Sequence, residues 1–115
     1  MDLKPLRGHA TSEGTDKFYR RAMNENEVDA FEVHHENFRS PFNSQVKISS
    51  LGIGSYIGDP CDLTDYDLYD AIKQSVLSGG INHIDTAPNF RYMKSEKTIG
   101  KVLTTLESKY EITRD

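Results

Sequence analysis

Paired cysteines, long apolar runs and an excess of positive charge are all missing from this chain of 115 residues. The single cysteine, Cys61, excludes an internal disulfide framework and is compatible with a reducing compartment. No stretch approaches the roughly 20 apolar residues of a membrane span, and the first residues have no apolar signal region. The net charge of −4 gives no excess of positive charge that would attract nucleic acid or an anionic membrane. We therefore expect a cytoplasmic protein with neither a nucleic-acid nor a membrane partner.

Apolar residues are also scarce, at 36 % of the chain. Globular domains usually have about 45–50 %, a count that includes glycine. The deficit is concentrated in the first half, which divides the chain into two regions. Residues 1–45 are a polar leader, in which the spacing of Phe18 and Ala22 predicts a short helix over residues 15–23. Residues 46–115 hold most of the apolar pattern.

The leader ends in the start of a predicted β-hairpin. Residues 36–42 and 45–49 are its strands, and they flank a polar turn. His34, His35 and Glu36 resemble a metal-ligand group, but neighbouring residues on a strand point to opposite faces. No further ligand lies at metal-binding spacing, so we interpret the histidines as solvated surface residues.

The second region begins with a strand and a helix. Residues 51–54 predict the strand, and Thr64 is the expected N-cap of the helix. The pair Gly79 and Gly80 is expected to end this helix, because glycine adopts the left-handed C-terminal cap without strain. Its predicted buried stripe is Leu68, Ala71, Ile72, Ser75 and Val76.

A second strand and helix follow. Residues 81–84 predict the strand, and Ser95 is the expected N-cap of the helix. Gly100 costs this helix about 1 kcal/mol relative to alanine, which close packing against a strand would offset. The predicted buried stripe is Ile99, Val102, Leu103 and Leu106.

An aspartate, Asp85, directly follows the second predicted strand. In β/α proteins, ligands and catalytic groups gather at the carboxyl ends of parallel strands. An aspartate there can hold and polarise a neighbouring lysine or tyrosine. The alternative is a turn or helix-capping aspartate, and spacing alone does not separate the two.

Two motifs in this region resemble the aldo/keto reductases. The first is Gly52-Ile53-Gly54-Ser55-Tyr56, and the second runs from Asp85-Thr86-Ala87 through Ser95-Glu96 to Gly100-Lys101. They stand in the family's order and are separated by the length of one helix. The resemblance covers the chain from about residue 46 onward. It implies an α/β fold, namely the amino-terminal part of a (β/α)8 barrel with a β-hairpin and two βα units.

The resemblance also implies an oxidoreductase that uses NADPH and a small carbonyl substrate. In the family, hydride passes from the nicotinamide to the carbonyl carbon, and a tyrosine donates a proton to the carbonyl oxygen. By resemblance, Asp85 is the catalytic aspartate that orients the family's lysine. Gly54, Ser55, Tyr56 and Asp85 are the expected contacts of the cofactor.

Two features depart from the family pattern. The family's tyrosine lies five residues after the aspartate, where this chain has Phe90, which has no hydroxyl to donate. Tyr92 lies two residues further on and is a weaker candidate for the acid. Arg91 would place a positive charge near the carbonyl but is too basic to donate its proton. The second departure is length, because the family's lysine and histidine would come from later strands of a barrel of about 250 residues, and this chain has 115 residues.

Two functions therefore remain open. The first is a truncated and inactive portion of an aldo/keto reductase. The alternative is a catalytically dead structural or interaction module within a larger assembly. Because two paired strands leave open edges that invite association, a protein partner is then expected to cover them.

Overall fold

The described part of the chain is a small domain that combines helices and sheets. The computed structural model describes residues 6–24, 35–41 and 44–115, which form three α-helices and two sheets of two strands each. In chain order the elements are α1 (Ser12–Asn24), a 3₁₀ turn (His35–Asn37), β1 (Phe38–Arg39), β2 (Ile48–Ser49), β3 (Ile53–Gly54), α2 (Asp62–Leu77), β4 (Ile84–Asp85) and α3 (Lys94–Tyr110). A mixed α/β domain, as expected from the sequence, is therefore confirmed.

Helix α1 begins earlier than the sequence pattern predicts. Thr11 precedes it, and its Oγ1 accepts a hydrogen bond of 2.9 Å from the backbone N–H of Gly14. This side-chain cap satisfies one of the free N–H groups at the helix start. Phe18 and Tyr19 then pack edge-on against the ring of Phe38, with centroid distances of 6.3 and 5.3 Å. The helix thereby docks onto the hairpin.

The predicted hairpin is present as a short antiparallel pair. Phe38 pairs with Ser49 and Arg39 with Ile48, whereas residues 42 and 43 and His34 lie outside the described residues. Asn82 ties the hairpin to the second half of the chain. Its Oδ1 accepts a bond of 2.8 Å from the Ser49 N–H, and its Nδ2 donates one of 2.8 Å to the carbonyl of Lys47.

The two βα units form a parallel strand pair with its helices. β3 pairs with β4 so that Ile53 lies opposite Ile84 and Gly54 opposite Asp85. Helix α2 makes the crossover between the strands, as parallel pairing requires. Both strands are shorter than predicted, and β4 ends one residue later, at Asp85.

Both predicted N-caps of these helices are wrong. Helix α2 begins at Asp62 with Cys61 at the N-cap position, and α3 begins at Lys94 with Met93 there; neither side chain makes a capping hydrogen bond. Ser95 instead lies inside the first turn of α3 and is fully buried. The predicted end of α2 is confirmed by Gly79, whose φ is +81° and whose N–H donates to the carbonyl of Val76 over 3.0 Å.

The core lies between α2 and α3. It consists of Ile72, Val76, Ile99, Val102 and Leu106, with Leu68, Ile53 and Ile84 packed against it. Both helix periodicities are thus confirmed, although Ala71 of the predicted stripe is exposed. Close packing does not explain Gly100, because a Cβ built there meets nothing within 4 Å.

Candidate functional site

The predicted aspartate lies at the carboxyl end of the parallel strands. Asp85 is exposed and lies opposite Gly54, which is also exposed. A Cβ built on Gly54 meets nothing within 4 Å, so the space above this glycine is open. A carboxylate in this position can accept hydrogen bonds or pair with a cation, and the adjacent glycine allows a ligand to approach the backbone closely.

Ser55 holds the two strand ends together. Its N–H and its hydroxyl both donate to the backbone carbonyl of Asp85, over 3.2 and 2.7 Å. The side chain is almost completely buried, with 2 % exposure. Its hydroxyl is therefore used within the protein, and its part in any site is to position Asp85.

A chain of hydrogen bonds continues from these strands into helix α3. The hydroxyl of Ser95 donates to the carbonyl of Ser55 over 2.6 Å, and Arg91 Nη1 donates to Ser95 Oγ over 3.4 Å. This contact explains why Ser95 is not a cap. Its hydroxyl connects α3 to β3, and that bond is completely removed from solvent.

Arg91 connects the loops that follow β3 and β4. Its guanidinium donates to the carbonyl of Asp59 through Nε at 3.1 Å and Nη2 at 2.9 Å. Nη2 also forms an ion pair of 2.6 Å with Asp65 Oδ1 of helix α2. The side chain is only 1 % exposed, so its charge is compensated within the protein by these partners. Arg91 is a positioning residue, and no local spacing in the sequence reveals its partners.

The loop before α3 carries unusual backbone angles. Arg91, Tyr92 and Met93 have φ values of +51°, +54° and +69°, three consecutive residues in the left-handed region. Each such residue other than glycine costs roughly 1–2 kcal/mol. The buried bonds of Arg91 offset this cost, and Tyr92 is left 84 % exposed.

Two aromatic rings flank the strand ends. Tyr56, which follows β3, packs edge-on against Phe90, with 5.1 Å between ring centroids. Tyr56 is 67 % exposed. The predicted residues Gly54, Tyr56 and Asp85 are thus brought to one end of the sheet, where the ring of Phe90 joins them.

Acidic residues surround the start of helix α2. Lys94 Nζ lies 3.6 Å from Asp62 and 3.5 Å from Asp65, so Asp65 contacts both Lys94 and Arg91. Cys61 is exposed, and the hydrogen bond of 3.3 Å between its Sγ and the Thr64 hydroxyl is the main cause that lowers the pKa of its thiol. This bond is the local role of Thr64, which the sequence had suggested as a cap.

The described residues contain neither a metal-binding cluster nor a membrane-spanning helix. Within residues 6–24, 35–41 and 44–115, no group of three or more histidine, cysteine or acidic residues is placed to hold a metal ion. Over the same ranges, no helix has the length and apolar character needed to cross a membrane.

Comparison with family models, curated proteins and solved structures finds no match to this chain.

Proposed function

We propose that this chain is the amino-terminal portion of an aldo/keto reductase barrel, a family of NADPH-dependent oxidoreductases that act on small carbonyl compounds. In this proposal it supplies the β-hairpin and the first two βα units. It is inactive by itself, since the lysine and histidine of the family belong to later strands. Asp85 would orient that lysine, while Gly54 and Tyr56 would border the nicotinamide.

The observation that carries the proposal is the register of the parallel strands. It sets an exposed carboxylate opposite an exposed glycine at the carboxyl end of the sheet. Ligands of β/α folds bind at this end. The geometry is compatible with a cofactor ring lying against Gly54 and a cation pairing with Asp85.

A chimera tests the proposal without relying on the chain alone. Residues 46–115 would replace the first two βα units of a characterised aldo/keto reductase, which keeps its own lysine, histidine and phosphate contacts. We expect the chimera to fold and to bind NADPH saturably, as followed by cofactor fluorescence and circular dichroism. A folded chimera that binds no NADPH would refute the proposal.

Two glycine variants locate the cofactor. Gly54→Val should weaken NADPH binding in the chimera while leaving the fold intact, because the space around Gly54 is empty in the chain itself. Gly100→Ala is the matched control, since a Cβ there also meets nothing within 4 Å but lies on helix α3. Equal NADPH affinity in both variants would place the cofactor elsewhere.

We also propose a second function, a catalytically dead interaction module, on the basis of the strand edges. Among the described residues, β3 and β4 pair only with each other, so each has an open edge. Exposed strand edges favour association with another chain. Phe90, at the position of the family's tyrosine, favours this alternative. A chain that is folded by itself, binds no NADPH and sediments as a defined oligomer would favour the interaction module over the reductase. A chimera that folds but binds no NADPH would also favour the module.

A further inference from the structure

The exposed apolar side chains of this protein are gathered at one end of the domain. Among the described residues, six of the seven large ones lie where β3 and β4 end and where α2 and α3 begin: Tyr56, Ile57, Leu63, Tyr66, Tyr92 and Met93. The exception, Leu51, precedes β3 at the opposite end of the strands. Apolar residues that are exposed singly need no explanation, whereas a cluster of them marks an interaction surface. We call these six residues the strand-end surface.

The segments that carry this surface are packed against each other. Arg91 joins the loop before α3 to the carbonyl of Asp59 and to the carboxylate of Asp65 in α2. The loop after β3 lies against the first turn of α2, since a Cβ built on Gly58 would come within 2.6 Å of Thr64 Cγ2. The six apolar side chains are therefore presented together at this end of the domain.

The charge around the strand-end surface is negative. Residues 54–67 and 85–97 contain six acidic and three basic side chains. Two of the basic ones, Arg91 and Lys94, already pair with Asp65. Among the described residues, no cation pairs with the exposed carboxylates of Asp59 and Asp85. Neither aspartate lies in the first turn of a helix, so stabilisation of a helix dipole does not account for them.

This charge decides which partner suits the surface. Nucleic acid and anionic membranes would be repelled, because both carry dense negative charge. A second copy would bring the same acidic groups against each other, and such like-charge contacts are costly. A polypeptide with apolar side chains and adjacent lysine or arginine complements both the apolar cluster and the unpaired carboxylates.

We propose that the strand-end surface docks a basic amphipathic segment of another protein, with apolar side chains against Ile57 and Tyr92 and cations near Asp59 and Asp85. The inference rests on the second proposed function, the interaction module, and names the partner of that module. Burial of the apolar side chains drives the association, and tyrosine and methionine are enriched at the centres of protein interfaces. Charge complementarity selects a basic partner over an acidic one.

Isothermal titration of the whole chain with two synthetic helices tests the charge of the partner. One helix has leucine on one face and lysine on the other, and its matched counterpart has glutamate in place of every lysine. We expect saturable one-to-one binding of the lysine helix that weakens as salt is added, and at least about tenfold weaker binding of the glutamate helix. Equal affinities, or no saturable binding of the lysine helix, would overturn the proposal.

Matched apolar variants test the place of docking. Ile57→Ser should weaken binding of the lysine helix about tenfold or more, because Ile57 is 91 % exposed on the strand-end surface. Leu51→Ser makes a comparable change at a residue that is 67 % exposed at the opposite end of the strands, and it should leave the affinity unchanged. Circular dichroism checks that both variants fold. Equal affinities of the two folded variants would place the helix elsewhere and overturn the proposal.

Neutralised carboxylates test the contribution of charge. Asp59→Asn should lower the affinity for the lysine helix and reduce its dependence on salt. Glu107→Gln removes the same charge from an exposed residue near the far end of α3 and should change neither quantity. If both variants bind like the unmodified chain, the carboxylates of this surface do not select the partner.

Sedimentation of the chain without peptide separates this inference from the proposed function. A dimer that Ile57→Ser dissociates would show that a second copy covers the strand-end surface and would overturn the inference. A defined oligomer that Ile57→Ser leaves intact, in a chain that does not bind the lysine helix, would keep the interaction module through its strand edges and remove only the inference about its partner.

Discussion

Removal of the Arg91 guanidinium is expected to cause a large loss of stability in this protein. The side chain is 1 % exposed, donates twice to the carbonyl of Asp59 and pairs with Asp65 at 2.6 Å. Loss of one partner of a buried pair costs about 3–5 kcal/mol. Asp65 is 25 % exposed and keeps Lys94 at 3.5 Å, so part of its charge stays compensated. We therefore expect Arg91→Ala to lower the free energy of unfolding by about 2–4 kcal/mol.

Urea unfolding measured by circular dichroism is the assay. Arg39→Ala is the matched control, because Arg39 is exposed on β1 and surface substitutions change stability by less than about 0.5 kcal/mol. Arg91→Met keeps the volume and removes the charge, and a double-mutant cycle with Asp65→Asn isolates the ion pair. We expect a coupling energy of about 1–3 kcal/mol.

The stabilising role of Arg91 would be refuted if Arg91→Ala destabilised the protein no more than Arg39→Ala does. The guanidinium would then hold neither loop in place. A coupling energy near zero would restrict its role to the bonds with Asp59. Either result would also weaken the interpretation of Arg91 as the residue that offsets the left-handed backbone of its own loop.

Three further predictions concern the backbone and pH. Tyr92→Gly should raise the free energy of unfolding by about 0.5–1 kcal/mol, because the left-handed backbone there suits glycine and the side chain is 84 % exposed; a lower urea midpoint would contradict this. Gly100→Ala should also stabilise the protein, by about 1 kcal/mol, because alanine is the better helix former and its Cβ meets nothing within 4 Å. Gly14→Ala should not stabilise it, because the added Cβ would overlap the backbone of Asp115. Equal shifts of the thermal midpoint in the two variants would contradict this. Hydrogen bonds from Lys47 and, to a smaller extent, Arg20 lower the pKa of Asp16 in the folded protein. The ionised carboxylate therefore stabilises the fold at pH values above the ordinary aspartate pKa of about 3.9. This stabilisation is lost as the pH falls through the lowered pKa of the folded state. Urea midpoints should therefore fall between about pH 5 and pH 3, and less so in Asp16→Asn; identical acid profiles of the two chains would exclude this role.

The helices and their buried faces were predictable because they follow from local periodicity. Ile72 and Val76 in α2, and Ile99, Val102 and Leu106 in α3, recur at helical spacing and form the core. The parallel pairing of β3 and β4 was predictable for a related reason, since a helix between two short apolar runs allows few other connections.

The helix starts and the role of Arg91 were not predictable from local pattern. Ser95 has the composition of a cap, but its hydroxyl donates to the carbonyl of Ser55, which is 40 residues away in the chain. Arg91 likewise finds Asp59 and Asp65 across 32 and 26 residues. Such partners depend on how the two loops pack.

The rate of carbonyl reduction in the aldo/keto reductase chimera tests the central claim most directly. If Phe90 occupies the position of the proton-donating tyrosine, Phe90→Tyr should raise kcat by about 10²–10⁴-fold, the usual contribution of a positioned general acid. Tyr92→Phe should leave kcat unchanged. An unchanged kcat in Phe90→Tyr, or a loss of the activity in Tyr92→Phe, would contradict the claim.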